Sequence, residues 1–281
     1  MRPSLALLLL ISAGVGAGQA LPNAQEIVRR SVERDFFNSE QARNYTFMRE
    51  VDERHLDSGG NVKTAKSETA EVLILFGEPH ERTIRRNGKP LAPDEERKQE
   101  EKLNRLIERR KKETEKQRTK RLAKSEKRRW KSREFLQSIP EAFHFRLVGD
   151  DVVSGREAWV VGGTPNPAFR SHDARTRRLR NFRGRIWIAK EGYECVKLEA
   201  KTTGNIAFSG VIARLDTGAI MECEQERIND EIWLPSRVHV KFDARVALVK
   251  RLRRIIDIRF FDYRKFQSDS RIVSTSSVME Q

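Results

Sequence analysis

The residues with the widest chemical repertoire are five histidines, His55, His80, His144, His172 and His239, and two cysteines, Cys195 and Cys223. No two of the histidines stand at the spacing that places paired imidazoles on one helix face, and there is no His-Glu-x-x-His run, so no metal ligands are assigned. Two cysteines are too few for a disulfide scaffold or a four-thiolate zinc site. Strand parity puts Cys195 with Lys197 and Glu199 and Cys223 with Met221, on opposite sides of a sheet, an arrangement that disfavours a bridge between them. Gly14-Val15-Gly16-Ala17-Gly18 resembles a nucleotide-binding loop but lies in an N-terminal segment expected to be removed. There is no phosphate loop and no Gly-x-Ser-x-Gly elbow. Asp150-Asp151 reads as a solvated turn, and no nucleophile has a base beside it. The sequence therefore assigns no catalytic residue and no cofactor.

Aromatic residues offer a different chemistry. Trp159, Trp187, Phe208 and Trp233 fall on separate strands, where they can meet either as plain core or as the wall of an apolar cavity. Aromatic and basic residues interleave in Arg183 to Trp187 and Arg259 to Lys265, which reads as core with charged edges rather than a base-stacking surface.

The elements that must position these residues begin with an address. Arg2, the apolar run Leu5 to Ile11 and small residues at Gly18 and Ala20 form a cleavable export signal, too short for a membrane span of about 20 residues. Asn23 caps a short amphipathic helix carrying Ile27, Val28, Val32 and Phe36. Period-two alternation follows. Tyr45, Phe47 and Val51 lie on one strand, and Ala70, Val72, Ile74 and Phe76 on the next, across the turn Ser58-Gly59-Gly60-Asn61. A third strand runs from about Pro79 to Asn87-Gly88. Strands resume at Phe143, pass a basic loop opened by Pro165-Asn166-Pro167 and reaching Arg183, and continue as a meander to Ile256, Ile258 and Phe260, followed by a Ser-rich tail. One face of the meander is buried and the other wet, as Val238, Val240 and Phe242 show by alternating with Arg237, His239, Lys241 and Asp243.

Between these strand-rich parts, residues 93–138 are charge-dense and helix-forming. Asp94 to Arg133 holds 18 Lys or Arg and 9 Asp or Glu, an excess of +9 out of +15 for the 281-residue chain. Leu103, Leu106, Ile107, Leu122 and Trp130 give only a broken apolar stripe, so the segment is expected to protrude and to be dispensable for folding of the sheet. It serves either as a solvated spacer, as a contact for an anionic surface through Arg109, Arg110, Lys111 and Lys112, or as a coiled-coil partner. The domain organisation read from the sequence is a signal (1–20), a helix and first strands (21–92), the helical insertion (93–138), the remaining strands of the same domain (139–268) and a polar tail (269–281).

The order of elements, with Gly184-Arg185-Ile186-Trp187-Ile188, the run Glu226-Arg227-Ile228-Asn229-Asp230-Glu231-Ile232-Trp233-Leu234-Pro235-Ser236, and Asp262-Tyr263-Arg264-Lys265-Phe266, resembles exported bacterial proteins related to the outer-membrane lipoprotein-sorting factors (LolA-like). The resemblance covers most of the chain outside the helical insertion. It implies an α+β, mainly antiparallel fold in which a curved incomplete β-barrel wraps helices and leaves an apolar concavity for acyl chains. The same fold serves periplasmic sensors that bind a regulatory partner.

Two readings of function follow. One is a non-enzymatic periplasmic or cell-envelope protein binding a lipid or lipoprotein acyl chain, with Val72, Ile74, Phe76, Trp159, Trp187, Val211, Val240 and Phe242 as candidate cavity residues. The other is a sensor or adaptor that holds a protein partner on the same sheet. An enzyme acting on an envelope polymer lacks a visible constellation. A nucleic-acid role suits the charge but not the export signal.

Overall fold

A computed structural model describes residues 23–208, 213–246 and 250–266; the segment read as an export signal, Val211 and the Ser-rich tail lie outside the described residues. Helix α1 (Ala24–Gln41) starts where the sequence places it, with the Asn23 side chain accepting the Gln25 amide at 2.9 Å. Ala24, Ile27, Val28 and Ser31 form its buried stripe, while Arg29 bridges Glu26 and Glu33 on the wet side at 2.6 Å each.

The strands are β1 (Tyr45–Leu56), β2 (Val62–Leu75), β3 (Glu78–Arg86), β4 (Lys89–Pro90), β5 (Phe143–Val153), β6 (Arg156–Pro165), β7 (Phe182–Ala189), β8 (Cys195–Thr202), β9 (Ile206–Phe208), β10 (Ala213–Leu215), β11 (Ile220–Ile228), β12 (Ile232–Val246) and β13 (Lys250–Lys265). Asn87-Gly88 turns β3 into β4 with φ of 49° and 74°, the left-handed pair that a two-residue hairpin requires. All pairs are antiparallel, and the order β4-β3-β2-β1-β13-β12-β11-β8-β7-β6-β5 is open, with β9 and β10 added beside β12. The last strand, β13, lies between β1 and β12 and joins the N-terminal hairpins to the meander.

The two faces of this sheet differ. On the helix face, Ala24, Ile27 and Val28 of α1 pack on Val161 and Ile188, with Phe145, Leu147, Trp159, Ile186 and Tyr193 around them. On the opposite face a smaller cluster joins Trp187 and Trp233 to Ala158, Val160, Ala189 and Val196. Trp159 and Trp187 therefore never meet, because Val160, not Trp159, stands opposite Trp187.

Residues 91–142 connect β4 to β5, the two ends of the open sheet. Helices α2 (Pro93–Lys111), α3 (Glu115–Gln137) and α4 (Ile139–Ala142) make this crossing. The segment was expected to protrude; it lies against the molecule instead. Leu103 and Leu106 of α2 face Leu73 and His80 across a narrow hollow. Glu78, at the start of β3, accepts Arg110, Arg121 and Arg128 at 3.2–3.3 Å, and Glu113 holds Arg110 and Arg121 at 2.5 and 3.0 Å. At the far end Arg133 pairs with Glu40 of α1. The charge density that suggested a solvated rod is thus partly consumed in an ion-pair cluster, which hydropathy patterning does not register.

Asp150 and Asp151 lie within β5 rather than in a turn. Asp151 accepts the Trp187 indole N–H at 2.9 Å, and that bond holds its carboxyl below the usual range.

Candidate functional site

One register line on the helix face crosses seven strands from β5 to β13: Phe145, Gly163, Gly184, Ala200, Met221, Val240 and Ile256. Glycine, glycine and alanine in succession leave a depression in the sheet. A Cβ at Gly184 would stand 2.1 Å from the Glu199 carbonyl oxygen, and one at Gly163 would stand 2.9 Å from the Phe145 ring. Larger residues at these positions would displace the neighbouring strand or the ring.

Phe143, Phe182, Ile186 and Leu198 surround this floor, and Phe135 of α3, Ile139 of α4 and Leu179 close over it. The result is a hollow of about 210 Å³ walled almost wholly by carbon. Helix α5 (Ala174–Arg177) and the 3-10 turn Arg178–Asn181 deliver Leu179 to the wall. The Asp173 side chain starts α5 by accepting the Thr176 amide at 2.8 Å. The Arg175 guanidinium lies 4.5 Å from the centre of the Phe135 ring, and that of Arg178 lies 4.6 Å from Phe208, while Arg183 follows Phe182 onto the opposite face with Arg185 and Lys201.

Of the residues proposed from sequence for such a cavity, Val240 adjoins it, standing opposite Met221. Phe242 lies further along the same face of β12, and Val72 and Ile74 share the helix face on β2, several strands away. Trp159 packs under α1 against Tyr193, with ring centres 5.3 Å apart. Trp187 occupies the other face, between Arg185 and Lys197. Phe76 sits in the β2–β3 turn at φ 51° and is 42% exposed, since the strand ends one residue before it. Val211 lies outside the described residues. The register line itself was not visible in the sequence; its one-dimensional trace is Gly162-Gly163 and Gly184 inside otherwise apolar strands.

The proposed anionic-surface contacts are also redistributed. Arg110 is bound to Glu78 and Glu113, and Lys111 to Glu108 at 3.0 Å, whereas Arg109 and Lys112 are exposed.

The cysteines share the helix face, contrary to the parity expectation. A register shift in β8 sets Cys195 opposite Ile188 but Lys197 opposite Trp187, so one residue is inserted and the faces exchange. Cys223 stands opposite Leu198, three residues along β8 from Cys195. That offset is roughly 10 Å along the strand, beyond the reach of a disulfide, and both thiols are free.

The opposite face carries a histidine–carboxylate pair, His239 Nδ1 to Asp257 Oδ1 at 2.7 Å, with Arg54 also on Asp257. Burial pushes the Asp257 carboxyl upward, and the bonds from His239 and Arg54 outweigh it and hold the group low. Ser67 lines the same open hollow, but its register line reaches Asp257 only through Asp52 on the intervening strand, so Ser67, His239 and Asp257 do not form a triad. Among the described residues no group of three or more His, Cys, Asp or Glu is arranged to hold a metal ion, and no helix is long and apolar enough to cross a membrane.

No family model matches the chain, and no curated protein matches it in sequence. Among solved structures, it is similar to a DUF1329 family protein from Desulfovibrio piger, at 11% identity over 89% of this chain and 96% of that one, with a TM-score of 0.33. It is also similar to the MucA/MucB complex of Pseudomonas aeruginosa, at 13% identity over 87% and 99% of the chains with a TM-score of 0.23. A LolA superfamily protein from Nitrosomonas europaea is similar at 9% identity over 88% and 95% of the chains, with a TM-score of 0.32.

Proposed function

We propose that this chain is a non-enzymatic protein of the bacterial cell envelope that holds a lipid or lipoprotein acyl chain in the hollow between α3, α4 and the sheet. The observation that carries this reading is the carbon-walled hollow itself, floored by Gly163, Gly184 and Ala200. Water gains little in such a space, whereas each methylene buried there contributes about 0.8 kcal/mol. Met221, 37% exposed at the border, leads along the same register line to half-buried Val240 and Ile256, so a chain longer than the hollow has apolar surface to follow. The Arg2 and Leu5 to Ile11 signal supplies the route out of the cytoplasm.

The test is native mass spectrometry with lipid extraction on protein purified from the envelope fraction, paired with binding of a dodecyl-chain probe. Replacing Ala200→Trp puts an indole into the floor, and we expect it to weaken the probe by about tenfold or more, on the order of 1.4 kcal/mol. Affinity unchanged by that substitution would refute the hollow as the site. Recovery of a stoichiometric envelope protein with no lipid would favour the sensor or adaptor reading.

A further inference from the structure

Residues 166–183 contain six arginines, Arg170, Arg175, Arg177, Arg178, Arg180 and Arg183, and a single acid, Asp173. Asp173 is engaged with the backbone and hydroxyl of Thr176 at 2.8 and 3.1 Å. Among the described residues none of the six arginines has a carboxylate within ion-pair distance. On β12 and β13, by contrast, Arg237, Arg253, Arg254 and Arg259 each meet an Asp or Glu. Where Arg175 and Arg177 find acceptors, these are backbone carbonyls, Lys131 O for the first and Ser171 O for the second, which leave the positive charge uncompensated. Five of the six arginines are exposed, and Arg178 is half-buried.

Their position gives this excess a use. Arg175 stacks on Phe135 of the hollow's wall, and Arg178 precedes the wall residue Leu179 while lying over the exposed ring of Phe208, whereas Arg183 alternates with Gly184 and points to the opposite face of the sheet. Stacking on aromatic faces fixes the guanidinium planes and leaves their N–H edges free for planar oxyanions. We infer that the hollow takes an anionic amphiphile, its alkyl chain on the Gly163, Gly184 and Ala200 floor and its phosphate or carboxylate head held by Arg175 and Arg178. This inference rests on the lipid-binding reading above and specifies the class of lipid. It also places the functional positive charge beside the hollow rather than on α2, where Arg110 is already spent on Glu78 and Glu113.

Calorimetric titration with three probes, each below its micelle-forming concentration, tests it: dodecyl phosphate, dodecyl glucoside and inorganic phosphate. The expected result is that dodecyl phosphate binds about tenfold or more tighter than the glucoside, a preference that shrinks as salt is raised. The double change Arg175→Gln, Arg178→Gln should abolish that preference while leaving glucoside affinity within about twofold, whereas Arg183→Gln, on the opposite face, should leave the preference unchanged. The corresponding Lys double should keep part of it, and unchanged melting curves for both double variants confirm that the fold is intact. Ala200→Trp should weaken both amphiphiles. Equal affinity for the two amphiphiles, or a preference that survives the Gln double, overturns the headgroup inference and leaves the lipid hollow standing. Inorganic phosphate binding as tightly as dodecyl phosphate also overturns it, since the site would then be an anion site without a chain. If neither amphiphile binds, the lipid-binding reading falls with it.

Discussion

Asp35 of α1 is turned toward the helix face, where burial drives its carboxyl above the usual carboxylate range. The thiols of Cys195 and Cys223 are raised as well, by burial first and by the Asp35 charge second, so neither is a ready thiolate nucleophile. Because the native value for Asp35 lies above the unfolded one, the native state binds more protons than the unfolded state between the two. Stability contributed by this group is then full below the unfolded value near 3.8 and is lost as pH rises through the native value. Asp35→Asn removes the ionisation. The variant is expected to be more stable than the natural protein at pH 7, with the difference vanishing near pH 3, as read from urea midpoints at the two pH values. Equal midpoints at pH 7 would show that the carboxyl is solvated when charged.

At the scale of elements, α2 and α3 decide how the sheet is held. Helix α3 has 23 residues, an axial length of roughly 35 Å at 1.5 Å per residue, and it is anchored to Glu78 at one end and to Glu40 and the hollow at the other. A short Gly-Ser linker joining Ala92 to Ile139 would have to connect opposite edges of the open sheet and would strip Phe135 from the hollow. Deletion of the segment is therefore expected to abolish cooperative melting, with the strand-rich circular dichroism lost or aggregation in its place. A deletion variant that keeps a cooperative transition would show the crossing to be an accessory. Helical propensity and capping made α2 and α3 legible, down to the Thr114 and Gln117 capping box; that they bridge two sheet edges was not legible, because strand order is absent from the local pattern.

For the molecule as a whole, the formal charge of +15 is unevenly employed. Many of the basic residues on β12, β13 and the helical crossing are paired with carboxylates, while among the described residues the arginines between 170 and 183 are not. A patch of unpaired positive charge attracts anions in a manner that salt weakens, which is what the anionic-amphiphile proposal draws on. The proposed lipid-binding role would require delivery to the envelope. Edman sequencing of the protein recovered from the producing cell is expected to begin near Leu21, and a chain starting at Met1 would contradict export by a cleaved signal.

The sequence by itself determined the kinds and approximate limits of the elements. Asn23 capped α1, period-two alternation produced the antiparallel strands, and Asn87-Gly88 produced a hairpin, because each depends on residues within a few positions of one another. It also determined that one sheet face is richer in carbon than the other. Only the tertiary structure decided which strands are neighbours, and with that the site. Gly163, Gly184 and Ala200 are unremarkable apart from one another in the chain and become a floor only when β6, β7 and β8 come into register. Parity failed at Cys195 for the same reason. One inserted residue in β8 exchanges the faces of everything beyond it, and a bulge is defined by the partner strand, which a single strand's alternation does not contain.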